Sequence, residues 1–323
     1  MVKVTIDGIQ IEVEPGTTIL NAARMIGGDV VPPAMCYYSS LEGTGGNCRT
    51  CLVEIAEGST RDPRPMPKLM VSCSTEVQDG MVVKNKTSQR VHENRGGVTE
   101  FLLINHPLDC PVCDQAGECH LQDLSFEHGG AGSRFEEEKR TFEPIDIGNK
   151  IKLHMNRCIL CYRCVMVANQ LTDKRIHGVI NRGEHAEIST YIKQAVDNDF
   201  SGNMIDVCPV GALTDRTFRF KSRVWFLKPM NATRECTKCP GHATVWMFGE
   251  EIYRVTGRKD AYGEIERLDG KTAWICDECR FDTKDPKQWN IEGPRKINRH
   301  SVISQNHYEI PNPLRTNVKK SLK

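Results

Sequence analysis

The sequence lacks most features that would assign a protein to a class at first sight. No apolar run approaches about 18 residues, so no membrane span is expected. Lys+Arg 43 stand against Asp+Glu 42, and that balance leaves no global field for a polyanion. There is no basic, aromatic-rich face, which speaks against nucleic acid as a partner. No G-x-G-x-x-G or Walker-type loop occurs, so the chain is not expected to bind a nicotinamide nucleotide itself. No Ser/His/Asp set or carboxylate pair is tied to a motif, so no catalytic residue is expected. The opening "MVKVTIDGIQIEVEPG" lacks the apolar stretch of a secretory signal, and a cytosolic location is expected.

What the sequence has in excess is cysteine, 15 among 323 residues. Secreted chains spend cysteines on disulfides, whereas reducing compartments keep thiols free and clustered thiols hold metal. An odd count also fits complete pairing poorly. The cysteines fall into four separated groups, on a chain long enough for two or three domains.

The first group is Cys36, Cys48, Cys51 and Cys73, spaced C-x11-C-x2-C-x21-C. Before it, "VKVTI" and "IQIEV" read as strands around an Asp7-Gly8 turn, and "TTILNAARMIGG" as a short helix ending at glycine. Strand, turn, strand, helix and cysteine loop predict a β-grasp ferredoxin with a [2Fe–2S] site, in kind like the plant-type order. A zinc loop is the competing use of four such cysteines. Gly43, Gly45 and Gly46 in "EGTGGNCRTC" either shape a turn or bring backbone N–H groups to sulfur.

The second group, Cys110, Cys113 and Cys119, is one ligand short. His106, His120 and His128 are the candidates. His120 adjoins Cys119, and His128 lies beyond the helical-looking "LQDLSFEH". His106 stands at H-x3-C-x2-C-x5-C, held by Pro107, and is the predicted ligand. The preceding "TSQRVHENRGGVTEFLLIN" looks helical at both ends, with Gly96-Gly97 weakening its middle.

The third group is Cys158, Cys161, Cys164 and Cys208-Pro209. Two-cluster ferredoxins repeat C-x2-C-x2-C-x3-C-P, and the fourth cysteine of each repeat ligates the other repeat's cluster. On that template Ala168, Asn198, Ser201 and Met204 replace the four ligands of one cluster, and the four surviving cysteines serve the other. The module reads as reduced to one [4Fe–4S] site.

The fourth group, Cys236, Cys239, Cys276 and Cys279, is spaced C-x2-C-x36-C-x2-C. Paired C-x-x-C turns suit a tetrahedral site of four sulfurs, with zinc the usual occupant, though an iron–sulfur cluster uses such pairs too. "ATVWMFGEEIYRVTG" between them reads as a hairpin, and His242 as a surface or packing residue. With His106, the four groups use every cysteine once.

"INHPLDCPVCDQAGEC", "RCILCYRC", "DVCPVGALT" and "FRFKSRVWFLK" resemble the iron–sulfur G-chain, or 75-kDa, family of respiratory complex I over residues 1 to about 285. The resemblance implies one [2Fe–2S] on Cys36, Cys48, Cys51 and Cys73, and a [4Fe–4S] on His106, Cys110, Cys113 and Cys119. It implies a second [4Fe–4S] on Cys158, Cys161, Cys164 and Cys208. It also implies an electron relay from a flavin subunit that oxidises NADH, through other peripheral-arm iron–sulfur subunits, toward a quinone-reducing one. The location implied is the cytoplasmic side of a bacterial inner membrane. Two departures stand out. The family usually continues into a large molybdopterin-oxidoreductase-like domain, and this sequence stops at Lys323. Some bacterial members hold an additional [4Fe–4S] through C-x2-C-x3-C and a distant cysteine; here Ala243 replaces the third cysteine and Cys279 is extra. The two-plus-two spacing favours zinc at this site.

The expected fold class is α+β. Its parts are a β-grasp [2Fe–2S] domain (1–85), a helical [4Fe–4S] segment with one histidine and three cysteine ligands (86–145) and a bacterial-ferredoxin-like [4Fe–4S] domain (146–222). A small β-rich four-cysteine domain (223–284) and an extended or disordered tail (285–323) follow, with Trp289, Ile291 and Tyr308 suited to docking on a partner. Arg49, Arg157 and Arg163 lie beside cluster cysteines, with solvated surface arginine the default reading. The competing functions are an electron-transfer subunit of an NAD-linked hydrogenase or formate dehydrogenase, and a non-redox zinc protein.

Overall fold

The structure is a computed structural model that describes residues 1–130, 132–172, 177–190 and 198–295. The first two strands, β1 (Val2–Ile6) and β2 (Ile9–Val13), pair antiparallel about Asp7 and Gly8. Both turn residues have positive φ, 46° and 85°, the geometry that suits a two-residue hairpin and favours glycine at its second position. Helix α1 (Ile19–Ile26) starts where the Thr18 hydroxyl accepts from the Asn21 N–H and stops at Gly27, whose φ is 79°.

Strands β3 (Leu52–Glu57), β4 (Met70–Val71) and β5 (Met81–Lys84) complete a sheet of order β2-β1-β5-β3-β4, with β5 parallel to β1. Its core holds Val4, Ile6, Ile19, Ala22, Val53, Ile55 and Val83. Complete burial of an aliphatic side chain contributes about 1.5–3 kcal/mol, so this small sheet has its own core.

Helix α2 (Gln89–Leu103) runs unbroken through Gly96-Gly97, where the sequence predicted a weak middle. Packing overrides propensity there: a Cβ on Gly96 would lie 3.2 Å from the carbonyl oxygen of His128, at the end of α3 (His120–His128). Arg95 of α2 is buried and donates to the Leu52 carbonyl at 2.8 Å and Asn85 Oδ1 at 2.6 Å, keying the helix onto the first sheet.

Next come β6 (Ile145–Asp146), β7 (Ile151–Leu153), α4 (Arg163–Leu171), the hairpin β8 (His177–Ile180) and β9 (Glu187–Thr190), α5 (Asn203–Val207) and β10 (Leu213–Asp215). Strands β10, β7 and β6 form one small sheet. The core beneath includes Leu121, Leu124, Ile151, Leu153, Val167, Met204 and Leu213.

The last unit carries β11 (Lys228–Thr233), β12 (His242–Phe248), β13 (Glu251–Gly257), the short pair β14 (Arg267–Leu268) and β15 (Lys271–Thr272), and β16 (Asn290–Pro294). Strands β12 and β13 form the predicted hairpin, in a sheet of order β13-β12-β11-β16. One expectation needs correction. The supposed tail does not begin at residue 285: β16 pairs with β11, and Trp289 and Ile291 pack on this chain's own core around the fourth cysteine group. Trp289 Nε1 donates to the Thr283 carbonyl at 2.9 Å. Tyr308 lies outside the described residues. The α+β expectation fits these mixed, small sheets. Among the described residues no helix is long and apolar enough to cross a membrane.

Candidate metal centres

All fifteen cysteines are free. In the first group Cys36, Cys48, Cys51 and Cys73 are all buried. Hydrogen bonds from the Cys48 and Cys73 thiols hold Cys36 far below the ordinary thiol range, against the opposing effect of burial. Backbone donors also converge on sulfur: Gly46 N–H on Cys73 at 3.2 Å, and Asn47 and Cys48 N–H on Cys36 at 3.3 and 3.4 Å. Of the loop glycines, Gly46 does both things the sequence left open, turning the chain and donating its N–H to sulfur. Gly43, Gly45 and Gly46 have positive φ, and a Cβ on Gly45 would lie 3.4 Å from Cys73 Sγ.

In the second group Cys113 and Cys119 are buried and Cys110 is exposed, on a single helical turn Cys110–Val112. Gly211 approaches so closely that a Cβ there would sit 2.1 Å from Cys113 Sγ. The His106 loop is held by Lys139, whose ammonium donates to the carbonyls of Leu103, Ile104 and His106 at 3.1, 2.7 and 2.9 Å. Burial, then the Arg157 charge, pushes His106 down to about 4, which leaves a neutral ring with a free lone pair. Of the other two candidates, the His128 ring packs on His92 at 5.1 Å, and the His120 ring lies against Gly263.

In the third group Cys161, Cys164 and Cys208 are buried and Cys158 half-buried. Burial pushes all four thiols up, Cys161 to about 12. A set of thiols that resists ionisation alone fits a group that brings positive charge to its centre. The loop from Cys158 to Cys164 winds through two left-handed non-glycine residues, Leu160 (φ 52°) and Tyr162 (φ 63°), and Arg49 (φ 61°) does the same between Cys48 and Cys51. Leu160 N–H reaches Cys158 Sγ at 3.3 Å. His177, buried, places Nε2 3.3 Å from Cys164 Sγ. The sequence reading missed His177 because it lies on a separate hairpin.

The default view of the arginines holds only for Arg49, which is exposed. Arg163 is 5 % exposed and donates to the carbonyls of Ala34, Tyr37 and Val207 at 2.9, 2.6 and 3.2 Å. It thereby joins the loop around Cys36 to the segment before Cys208. Arg157 is 3 % exposed and pairs with Asp109 at 2.7 Å, beside Cys110. The groups adjoin in space: His120 N–H donates to the Pro209 carbonyl at 3.2 Å, and one cleft is lined by both His106 and Cys158. A second cleft is lined by Cys48 together with Ile159, Leu160 and Tyr162.

In the fourth group all four sulfurs lie within 4.8 Å of one another. His242 stays out, with Nδ1 3.5 Å from a Glu266 carboxylate oxygen.

Residues 1–88 match the family described as 2Fe-2S iron-sulfur cluster binding domain. Residues 95–134 match the NADH-ubiquinone oxidoreductase-G iron-sulfur binding region. Residues 148–214 match the NADH-quinone oxidoreductase subunit 3, ferredoxin-like domain. The G subunit of the NADH-quinone oxidoreductase of Rickettsia bellii (strain RML369-C) is 40% identical over 294 residues, covering 91% of this chain and 40% of that protein. The mitochondrial NADH-ubiquinone oxidoreductase 78 kDa subunit of Candida albicans is 42% identical over 278 residues, covering 85% of this chain and 37% of that one.

Over these residues the chain belongs to the complex I G-subunit family. It spans about two-fifths of the length of the curated relatives it matches. Among solved structures, a chain of an NAD+-reducing [NiFe]-hydrogenase in the H2-reduced state is similar with a TM-score of 0.58 and 25% identity, covering 69% of this G-family chain and 91% of that one. The matched regions take in the first three cysteine groups and His106. None of the three reaches Cys236.

Proposed function

We propose that this chain is an electron-relay subunit of an NADH-oxidising, quinone-reducing assembly. The observation that carries the reading is the buried Arg163 bridge between the first and third ligand groups, with the second group joined to the third through Pro209. Three adjoining sites in one packed body are what a relay needs. When bound, iron–sulfur clusters supply one-electron redox capacity that no side chain here has.

Cys36, Cys48, Cys51 and Cys73 hold the [2Fe–2S] group. His106, Cys110, Cys113 and Cys119 hold one [4Fe–4S] group, and Cys158, Cys161, Cys164 and Cys208 the other. Cys236, Cys239, Cys276 and Cys279 form a further metal site. The protein's own part is to exclude water, to aim backbone N–H groups at sulfur and to fix the spacing of the sites. The partners are a flavin subunit that oxidises NADH and further iron–sulfur and quinone-site subunits, on the cytoplasmic face of a bacterial membrane. The similar hydrogenase chain supports a second reading, a soluble diaphorase-type subunit. The family matches and the G-subunit relatives favour the first.

Anaerobic purification with iron and sulfide analysis and low-temperature electron paramagnetic resonance tests the relay. His106→Ala is expected to alter one tetranuclear signal and leave the binuclear one. Unchanged spectra reject His106 as a ligand. Copurification of membrane subunits separates the two assemblies, since a soluble diaphorase brings none.

A further inference from the structure

The fourth cysteine group differs from the others in scale. Cys236 Sγ lies 3.8 Å from Cys276 Sγ, and Cys239 Sγ 3.7 Å from Cys279 Sγ. A tetrahedron with metal–sulfur bonds of about 2.3 Å has sulfur–sulfur edges of about 3.8 Å. A four-iron cluster interposes irons and sulfides among its ligands and keeps thiolates further apart than such an edge. Among the described residues, this is the one set of three or more His, Cys, Asp or Glu side chains gathered so as to hold a single ion.

The loops around this site are built for four thiolates. Lys238 N–H reaches Cys236 Sγ at 3.4 Å and Cys279 N–H reaches Cys276 Sγ at 3.5 Å. Gly241 has φ 67°, and a Cβ there would lie 1.9 Å from the Arg234 carbonyl oxygen, so the turn after Cys239 closes only with glycine. Cys276 and Cys279 are fully buried.

The position of the site in the fold says what it does. Asp277, between two of the ligands, accepts from Ser201 Oγ at 2.6 Å and from Gly202 N–H at 2.7 Å, and its own N–H donates to the Asp199 carbonyl at 2.6 Å. Asn203 Nδ2 donates to the Ile275 carbonyl at 2.8 Å, and Arg280 pairs with Asp206 at 2.5 Å. Residues 198–204 are the stretch in which a two-cluster ferredoxin would carry the ligands this chain has lost. Met204 and Ala168, at two of those lost positions, are fully buried in the core.

We infer that Cys236, Cys239, Cys276 and Cys279 hold a single zinc ion that staples the C-terminal sheet onto the vacated cluster face of the ferredoxin-like unit. Zinc is redox-inert, so this site is no station of the relay. The inference goes beyond the proposed function and rests only on these cysteines being ligands.

The test uses the full chain, isolated without oxygen. Zinc analysis should give about one ion per chain, and zinc-edge X-ray absorption should give four sulfurs at about 2.3 Å. In Cys236→Ser/Cys239→Ser the zinc is lost, while iron, sulfide and the resonance signals stay as in the parent. A cobalt-loaded chain should show the visible bands of tetrahedral thiolate coordination, absent from that variant. Should the double variant fail to fold, absorption and cobalt spectra of the parent chain decide alone. Iron and sulfide falling together in the variant, with loss of a cubane signal, overturns the inference, and so does a parent chain with no zinc. A chain with zinc here and no iron elsewhere would sink the relay and leave this site standing.

Discussion

The guanidinium of Arg163 donates to the carbonyl oxygen of Tyr37 across 2.6 Å, and through it the loop beside Cys36 is tied to helix α4, which begins beside Cys161. The same side chain reaches Ala34 and Val207 and lies 5.2 Å from the Tyr38 ring centroid. Replacing it by Met takes the donor from three carbonyls, one buried and two partly buried. At about 1.5–3 kcal/mol for each hydrogen bond to a charged group, the loss should reach about 3 kcal/mol or more. Arg163→Met is expected to lower the midpoint of thermal unfolding and to disturb the binuclear and one tetranuclear signal together. Arg163→Lys, with its charge but no fork, should fall between. A midpoint equal to the parent's would reject the bridge.

His177 is the second residue to test. Burial pushes its ring down to about 4, so it is neutral at neutral pH. With Nδ1 unpartnered, Nε2 is the nitrogen placed to donate to Cys164. A hydrogen bond to a ligand sulfur draws charge off the centre and favours the reduced state. His177→Leu should lower the potential of one tetranuclear centre, on the order of tens of millivolts, with iron content unchanged. His177→Gln, which keeps a donor, should recover part of the shift. Redox titration followed by electron paramagnetic resonance measures both.

The kinds of iron–sulfur domain were legible because cysteine spacing is written in discrete residue types, and the Asp7-Gly8 hairpin because its turn chemistry is local. The buried arginines were not. Arg163 sits beside Cys164 in the chain, but its partners lie 129, 126 and 44 residues away, and no local pattern reports them. Strand β16 was hidden for a similar reason. Its Gly293 and Pro294 read as loop, while its pairing with β11 and the burial of Trp289 are tertiary facts. The left-handed Arg49, Leu160 and Tyr162 carry no glycine to announce them. The relict positions were half legible: the template named Ser201 and Met204 as losses, and only the packing shows Asp277 bound to the first and the core closed over the second.

Gly211 gives a prediction that separates packing from chemistry. It is neither ligand nor donor, yet its α-carbon faces Cys113 so closely that a Cβ would stand 2.1 Å from the sulfur. The Cys113 backbone is held in place by Arg223, which donates to its carbonyl at 2.8 Å. Gly211→Ala should therefore mimic loss of Cys113. One tetranuclear signal disappears, iron per chain falls by about one cluster's complement, and the binuclear signal persists. Full iron content in this variant would show that Cys113 has room the structure denies it.

The Asp206–Arg280 pair carries the last prediction. Both groups are almost wholly buried, 2.5 Å apart, and Asp206 also accepts from Gly257 N–H at 2.8 Å. Burial alone would raise the Asp206 carboxyl, and the Arg280 and Lys259 charges overcome it and hold it below the usual range. Removing one partner strands the other charge in the interior, at about 3–5 kcal/mol, whereas replacing both by apolar groups of similar size costs little. Asp206→Asn and Arg280→Met should each release the C-terminal sheet at a lower temperature. The double variant Asp206→Leu/Arg280→Met should lie closer to the parent than either single one. Thermal unfolding read at Trp289, which is buried in that sheet's core, measures the cycle. Simple additivity of the two losses would mean that the pair does not join the C-terminal sheet to the ferredoxin-like unit.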